Sequence, residues 1–217
     1  MIISIDGPAG SGKSTVANIL AEKLDFIHFN SGSLYRGITA YILKNNVDLK
    51  SIDSTEIKLE TKFENNTQQV IVNNEYMTNF LRNNDVSIST PQISIIPKIR
   101  QIVDECQRSF CSKNNVVIDG RDIGSYVFPD AEYKFYLDCA VEERARRRYL
   151  EETKKNPNIS LKEIENQLIK RDETDKAKKI APLCIPKNAI IIDSTSLSIN
   201  QVVEDMLKYI KEFKKQA

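Results

Sequence analysis

Histidine is almost missing from this chain: His28 is the single one in 217 residues. A Ser-His-Asp triad, a Cys-His pair built away from residue 28, and a metal centre made of several histidines are therefore nearly excluded. Cysteine is sparse too. Cys106, Cys111, Cys139 and Cys184 show neither the close pairs of a zinc site nor the density of a disulfide scaffold, so a reducing, cytoplasmic setting is expected. Charge of one sign is not in excess: 31 Lys and Arg oppose 30 Asp and Glu. Without a net field to draw the chain onto nucleic acid or an anionic membrane, small molecules are the expected partners; separately, the chain is expected to be a monomer. No apolar run approaches the roughly 20 residues of a spanning helix, and MIISIDGPAG lacks the basic start and apolar stretch of a secretory leader.

What is present alternates. Ile2 to Asp6, Phe26 to Phe29, Val116 to Asp119, Tyr133 to Asp138 and Ala189 to Asp193 are short runs, β-branched or aromatic and nearly continuous, as strands covered on both faces should be. Between them Ser14 to Leu24, Ile99 to Phe110 and Val141 to Glu152 carry helical spacing, and Val202 to Phe213 reads as a closing amphipathic helix. Strand and helix in turn predict an α/β fold around a parallel sheet. Two regions break the alternation. Between about Ile57 and Met77, KFENNTQQVIVNNEYM reads as a hairpin insert with Asn-rich turns. From Arg144 to Lys179 the chain is charged and poor in apolar residues, with an NPN turn at 156 to 158, which suits a helical flap or a solvated helical hairpin.

Glycine is scarce, and its places are informative. All seven fall in three clusters, Gly7, Gly10 and Gly12, then Gly32 and Gly37, then Gly120 and Gly124, each after a predicted strand. Such clusters mark candidate turns facing a ligand at the C-terminal edge of a sheet. The first cluster fits G-x-x-x-x-G-K-[ST]: Gly7, Pro8, Ala9, Gly10, Ser11, Gly12, Lys13, Ser14, followed by Thr15. Backbone N–H groups of such a loop cradle phosphate, Lys13 adds a positive charge, and Ser14 can ligate Mg²⁺, so ATP or another nucleoside triphosphate is the expected donor. In VVIDGRDIG, Asp119 ends an apolar strand where a carboxylate orients the metal or its waters. Arg121 and Asp122 remain, and they imply a second ligand. Arg36, beside Ser31 and Tyr35, suits an anion next to a flat ring, and Arg100, Arg121 and Arg171 stand on separate loops expected to converge with it as a clamp for a second phosphate.

IDGPAGSGKST, NSGSLYR, VVIDGRDIGSYVFPDAEYKFYLDC, ERARRR, KRDETDKAKKIAPL and DSTSLSI together resemble the bacterial cytidylate kinases, from about residue 2 to residue 207 and least between 45 and 85. The resemblance implies transfer of the γ-phosphoryl group of ATP to CMP or dCMP, in pyrimidine nucleotide metabolism. It implies a P-loop nucleoside monophosphate kinase fold with five parallel strands flanked by helices. Residues 1–217 would form one kinase domain, with a small β-rich monophosphate-binding insert at about 55–90 and a helical lid at about 144–170. It assigns the acceptor phosphate to Arg36 and Arg121, the pocket wall to Ser31 and Tyr35, the base to Arg100 and Asp122, and the sugar to Arg171 and Asp175. Chemistry supports the base assignment, because cytosine offers an amino donor beside two acceptors, which a carboxylate next to a guanidinium complements. Three positions depart from the family pattern: Pro91 replaces a base-contacting serine, Asn30 an aspartate, and Lys178 an arginine that reaches phosphate. Thr90 or Ser94 is a candidate for the missing hydroxyl.

A phosphate monoester needs no general base to attack, which suits a chain without spare histidine. The expected charge-bearing groups are Lys13, Mg²⁺ held with Ser14 and Asp119, Arg121, and the flap arginines Arg144 and Arg148, which share a helix face with Arg147. Two other readings stay open at this point. One is a P-loop kinase acting on a metabolite hydroxyl, with Asp122 as general base. The other is an ATP-binding regulator without an acceptor.

Overall fold

The computed structural model describes residues 1–153 and 159–216; the NPN turn expected at 156 to 158 lies outside the described residues. The elements in chain order are β1 (Ile2–Asp6), α1 (Lys13–Leu24), β2 (Ile27–Asn30), α2 (Ser31–Lys44), β3 (Leu59–Glu64), β4 (Thr67–Val72), β5 (Glu75–Tyr76), α3 (Asn84–Ile93), α4 (Pro97–Cys111), β6 (Val116–Asp119), β7 (Tyr133–Asp138), α5 (Val141–Glu152), α6 (Leu161–Lys176), β8 (Ile190–Asp193) and α7 (Ile199–Gln216). They form two compact units, residues 1–28 with 116–217 and residues 29–115.

The first unit holds a five-stranded sheet of order β2-β6-β1-β7-β8. β1 lies at its centre, parallel to β6 on one side and β7 on the other, and β7 is parallel to β8. The apolar strands are covered by helices: Ile3, Ile5, Phe135 and Leu137 pack in one cluster with Leu20 of α1 and Met206 of α7. In α7 the residues Val202, Val203, Met206, Leu207 and Ile210 are all buried, a stripe at helical spacing in which each side chain contributes about 1.5–3 kcal/mol on burial. Strand boundaries differ from the expected runs by one residue at the start of β8 and at both ends of β2. Phe26 donates its N–H to the Ala21 carbonyl, so it closes the end of α1 beside the left-handed Asp25 before the strand begins. At the other end Asn30, the last residue of β2, caps α2 and accepts from the Ser33 N–H at 2.9 Å.

The second unit carries α2, α3, α4 and the antiparallel sheet β3-β4-β5. Its two hairpins turn on Asn65-Asn66 and Asn73-Asn74, all four with positive φ (49, 59, 48 and 66°). The register pairs Glu64 with Thr67 and Val72 with Glu75, so both loops have two residues, the arrangement that needs left-handed backbone at each centre. Phe29, Phe63 and Phe110 meet with ring centroids 5.1–6.4 Å apart in its core. α3 has no counterpart among the expected helices, and it contains Pro91. The proline is tolerated because it stands in the last turn, where its missing N–H forfeits a single bond.

The second glycine cluster is corrected by the structure: Gly32 and Gly37 lie inside α2, not in a turn. In the third, Gly120 stands in the bend after β6, as expected, while Gly124 lies in a short π-helical turn, Ile123–Val127. Gly37 is required by packing. A Cβ there would collide with Cγ1 of Val70, the fully buried centre of β4.

Candidate functional site

Between β1 and α1 the chain turns through Gly7, Gly10 and Gly12 with φ of 149, 79 and 92°. Gly7 also has no space for a side chain: a Cβ would strike the carbonyl oxygen of Leu137 on the neighbouring strand. Pro8, Ala9, Ser11, Ser14 and Thr15 complete the loop and the first turn of α1. Lys13 is buried inside it, its Nζ donating to the Pro8 carbonyl at 2.5 Å and to Ser11 Oγ at 3.3 Å. Burial first, then the nearby charge of Arg121 and of Arg171, hold the Lys13 ammonium well below the usual lysine range, while Asp119 and Asp6 pull the other way. That set of neighbours gathers the phosphate loop, the end of β6 and the end of α6 around one lysine.

Asp119 is shared. Its Oδ2 accepts from Ser14 Oγ at 2.6 Å, and its Oδ1 accepts from His28 Nε2 at 2.8 Å. A hydroxyl and a carboxylate thus sit together at the mouth of the loop, as a magnesium site of this kind requires. Among the described residues no group of three or more His, Cys, Asp or Glu side chains is gathered for a protein-only metal cage. This donor set fits Mg²⁺, which is commonly held by one or two protein oxygens, water and substrate phosphates.

Three further site residues form one cluster. Arg121 Nε meets Asp175 Oδ2 at 3.0 Å, and Lys178 Nζ meets Asp175 Oδ1 at 2.8 Å. Burial pushes the Asp175 carboxyl up, but Arg121, Lys178 and Arg171 outweigh it and hold it below the usual carboxylate range. Asp122 begins the π-helical turn and is buried. The lysine that departs from the family pattern therefore still stands beside the same carboxylate as Arg121.

The flap arginines do not behave alike. Arg144 is buried; it donates to the carbonyls of Cys139 (2.9 Å) and Ala9 (2.8 Å) and pairs with Asp172 Oδ2 at 2.7 Å. Asp172 Oδ1 in turn accepts the Ala9 N–H at 3.1 Å. One arginine and one aspartate thus hold both polar groups of a phosphate-loop residue, over a cluster of Ala9, Ala145, Ile164 and Leu168. Arg147 donates to the Ser194 carbonyl and pairs with Glu143, and Arg148 pairs with Glu152 four residues on. Arg148 is half-exposed.

In the second unit, Arg36 on α2 donates from Nη1 to the Leu81 carbonyl and to Ser87 Oγ, both at 3.1 Å. Arg100 is buried on α4, its guanidinium 5.9 Å from the centre of the Tyr35 ring. Ser31 is the first residue of α2 and is buried. Thr90 and Ser94 spend their hydroxyls on their own helix, donating to the carbonyls of Val86 (2.6 Å) and Pro91 (2.9 Å).

Three residues at the site escaped the sequence reading. Asp6 ends β1 as Asp119 ends β6, and the same strand-end argument would have found it. Asp172 belongs to the buried stripe Ile164, Leu168, Asp172 and Asp175 of α6, a periodicity hidden by the surrounding charge. His28 carries no local signal; only the pairing of strands reveals its partner.

Residues 3–212 match the family described as Cytidylate kinase. The chain is 41% identical over 217 residues to a cytidylate kinase of Carboxydothermus hydrogenoformans, covering 97% of each. It is 42% identical over 219 residues to one from Halalkalibacterium halodurans, covering 98% of each. Among solved structures, a shikimate kinase from Acinetobacter baumannii in complex with shikimate is similar in fold, with a TM-score of 0.51 and 16% identity over 98% of this chain and 94% of that one.

Proposed function

The chain belongs to the cytidylate kinase family, and from that membership we propose the reaction and the role of each residue. It is an ATP-dependent phosphotransferase that moves the γ-phosphoryl group to CMP or dCMP, giving ADP and CDP or dCDP. The observation that carries the residue-level reading is the buried Lys13 of the phosphate loop, followed by Ser14 bonded to Asp119 at 2.6 Å, with Arg121 two residues beyond Asp119 and paired with Asp175 at 3.0 Å. Cations of two kinds meet there, one on the loop that grips a triphosphate and the other on the segment assigned to the acceptor.

The loop from Gly7 to Thr15 binds ATP through its N–H groups, and Lys13 exchanges the Pro8 carbonyl for phosphate oxygen when the nucleotide arrives. Ser14 and Asp119 would hold Mg²⁺, whose contribution is to neutralise charge between the terminal phosphates. Arg121 and Lys178, oriented by Asp175, meet the acceptor phosphate; Arg171 and Asp175 meet its sugar; Asp122 reads the base. Ser31, Tyr35, Arg36 and Arg100 of the second unit are assigned to the acceptor as well. The acceptor oxygen is already anionic near neutral pH, so no side chain has to remove a proton, and rate comes from alignment and from cations already in place. Arg144, tied to Ala9, steadies the loop from behind, and Arg148 is assigned to the transferring phosphate. Residues of about 144–170 form the lid in this reading, and 55–90 the monophosphate-binding insert. A cytoplasmic monomer completes it, the cytoplasmic setting supported by four cysteines that are all free thiols.

The test is acceptor choice. With ATP and Mg²⁺, ADP release should be at least about tenfold faster, per kcat/KM, with CMP or dCMP than with UMP or AMP, since a site built around a hydrogen-bonding carboxylate rejects a mismatched edge. Fastest release with a sugar or another alcohol, or ATP binding without any acceptor-dependent turnover, would overturn it.

A further inference from the structure

An aspartate at the first position of a helical turn ordinarily folds its carboxylate back onto the N–H groups two or three residues on. Asp122 occupies that position ahead of Ile123–Val127 and makes no such bond. The N–H groups of the turn are satisfied from elsewhere. Asp6, on β1 and fully buried, accepts the Ile123 N–H on Oδ1 at 2.8 Å and the Gly124 N–H on Oδ2 at 2.7 Å. One carboxylate oxygen thus serves each donor. Gly124 allows the approach: a Cβ on it would sit 2.6 Å from Oγ of Ser4, two residues before Asp6 on the same strand.

We propose that Asp6 is a positioning residue for acceptor specificity: by capping the 122–124 turn from the adjacent strand, it spares the Asp122 carboxylate from that duty and aims it at the acceptor base. The inference rests on the reading of Asp122 as the base-reading group. It also gives a direct link between the two substrates. Asp6 immediately precedes Gly7, so the strand end that launches the phosphate loop is the one that fixes the acceptor-reading turn. A neutral amide of the same shape cannot replace it, because Asn offers one oxygen acceptor and turns an NH₂ group toward the second N–H.

Asp6→Asn is compared with Asp122→Ala and the parent chain, using CMP, UMP and ATP. The expected result for Asp6→Asn is a fall in kcat/KM for CMP of about tenfold or more, equivalent to one lost charged hydrogen bond. UMP should lose far less, so that the CMP-to-UMP ratio moves toward that of Asp122→Ala, and the KM for ATP should stay within about twofold. Equal losses for CMP and UMP would make Asp6 a scaffold residue and overturn the proposal. If Asp122→Ala itself leaves the ratio unchanged, the base-reading assignment fails and the proposal with it, a different outcome from a ratio that collapses in Asp122→Ala and survives in Asp6→Asn. Amide hydrogen exchange supplies a check that does not need Asp6→Asn to fold. Ile123 and Gly124 should be as protected in Asp122→Ala as in the parent, and loss of their protection would show that Asp122 caps its own turn.

Discussion

The glycine turns of the first unit and the asparagine turns of the second solve one backbone problem by different means. Both need residues in the left-handed region, yet Gly7, Gly10 and Gly12 line the phosphate loop whereas Asn65, Asn66, Asn73 and Asn74 make the hairpins of the insert. Asparagine tolerates positive φ at small cost because its short amide can bond to nearby backbone, so it suffices where the turn points into solvent. It fails where a neighbouring main chain occupies the space a Cβ would need, as the Leu137 carbonyl does beside Gly7. A chain with seven glycines has therefore kept several of them for close approach and left simple turning to asparagine.

Substitutions can break this comparison, beginning with the largest expected effect. Gly7→Ala forces a Cβ into the backbone of β7, which cannot give way without disturbing the central sheet. A loss of about 3 kcal/mol or more is expected, lowering Tm by about 6–12 °C or preventing folding. Melting within about 2 °C of the parent would show that the strand can move aside. Gly37→Ala tests the same idea against a side chain. Overpacking against Val70 should cost about 1–3 kcal/mol in urea unfolding, and the Gly37→Ala, Val70→Ala double variant should be more stable than the sum of the two singles by about 1 kcal/mol, because the second change makes room for the first. Additivity would mean that Gly37 matters for some other reason. The smallest effects sharpen the contrast within the asparagines. Asn66→Gly and Asn74→Gly, both exposed, should leave stability within about 0.5 kcal/mol and turnover unchanged. Asn73→Gly should cost more, about 1–3 kcal/mol, since its side chain accepts from the Lys58 N–H and donates to the Tyr41 hydroxyl and the Glu56 carbonyl.

Much of the architecture was legible because it is written locally. The apolar runs of β1, β6 and β7 match the observed strands residue for residue, since a parallel strand covered on both faces has little room for polar residues. The phosphate loop was legible for a similar reason, as its glycines, lysine and serine act within one turn of backbone. α3 was not legible in the same way, since a proline in the sequence does not disclose whether it stands in the middle of a helix or in its last turn. Gly32 and Gly37 were read as a ligand turn because glycine reports the need for space or for positive φ, but not which. The three flap arginines share one helix face in sequence, and only Arg144 is drawn into the interior, because Asp172, 28 residues later in the chain, and the Ala9 carbonyl, 135 residues earlier, wait there for it.

The order of residues alone pointed to the strands of the parallel sheet, to several of the helices and to a candidate loop for a triphosphate, because periodicity and a nine-residue loop are short-range properties. The folded structure decided which charges are buried and for whom they work. Asp6 and Asp119 are the same kind of residue at the end of the same kind of run, and the difference between them is that two N–H groups 117 and 118 residues away return to meet the first, whereas Ser14 and His28 meet the second. A carboxylate's task depends on the donors that surround it once water has been excluded, and those donors are brought by chain segments that no local reading can place.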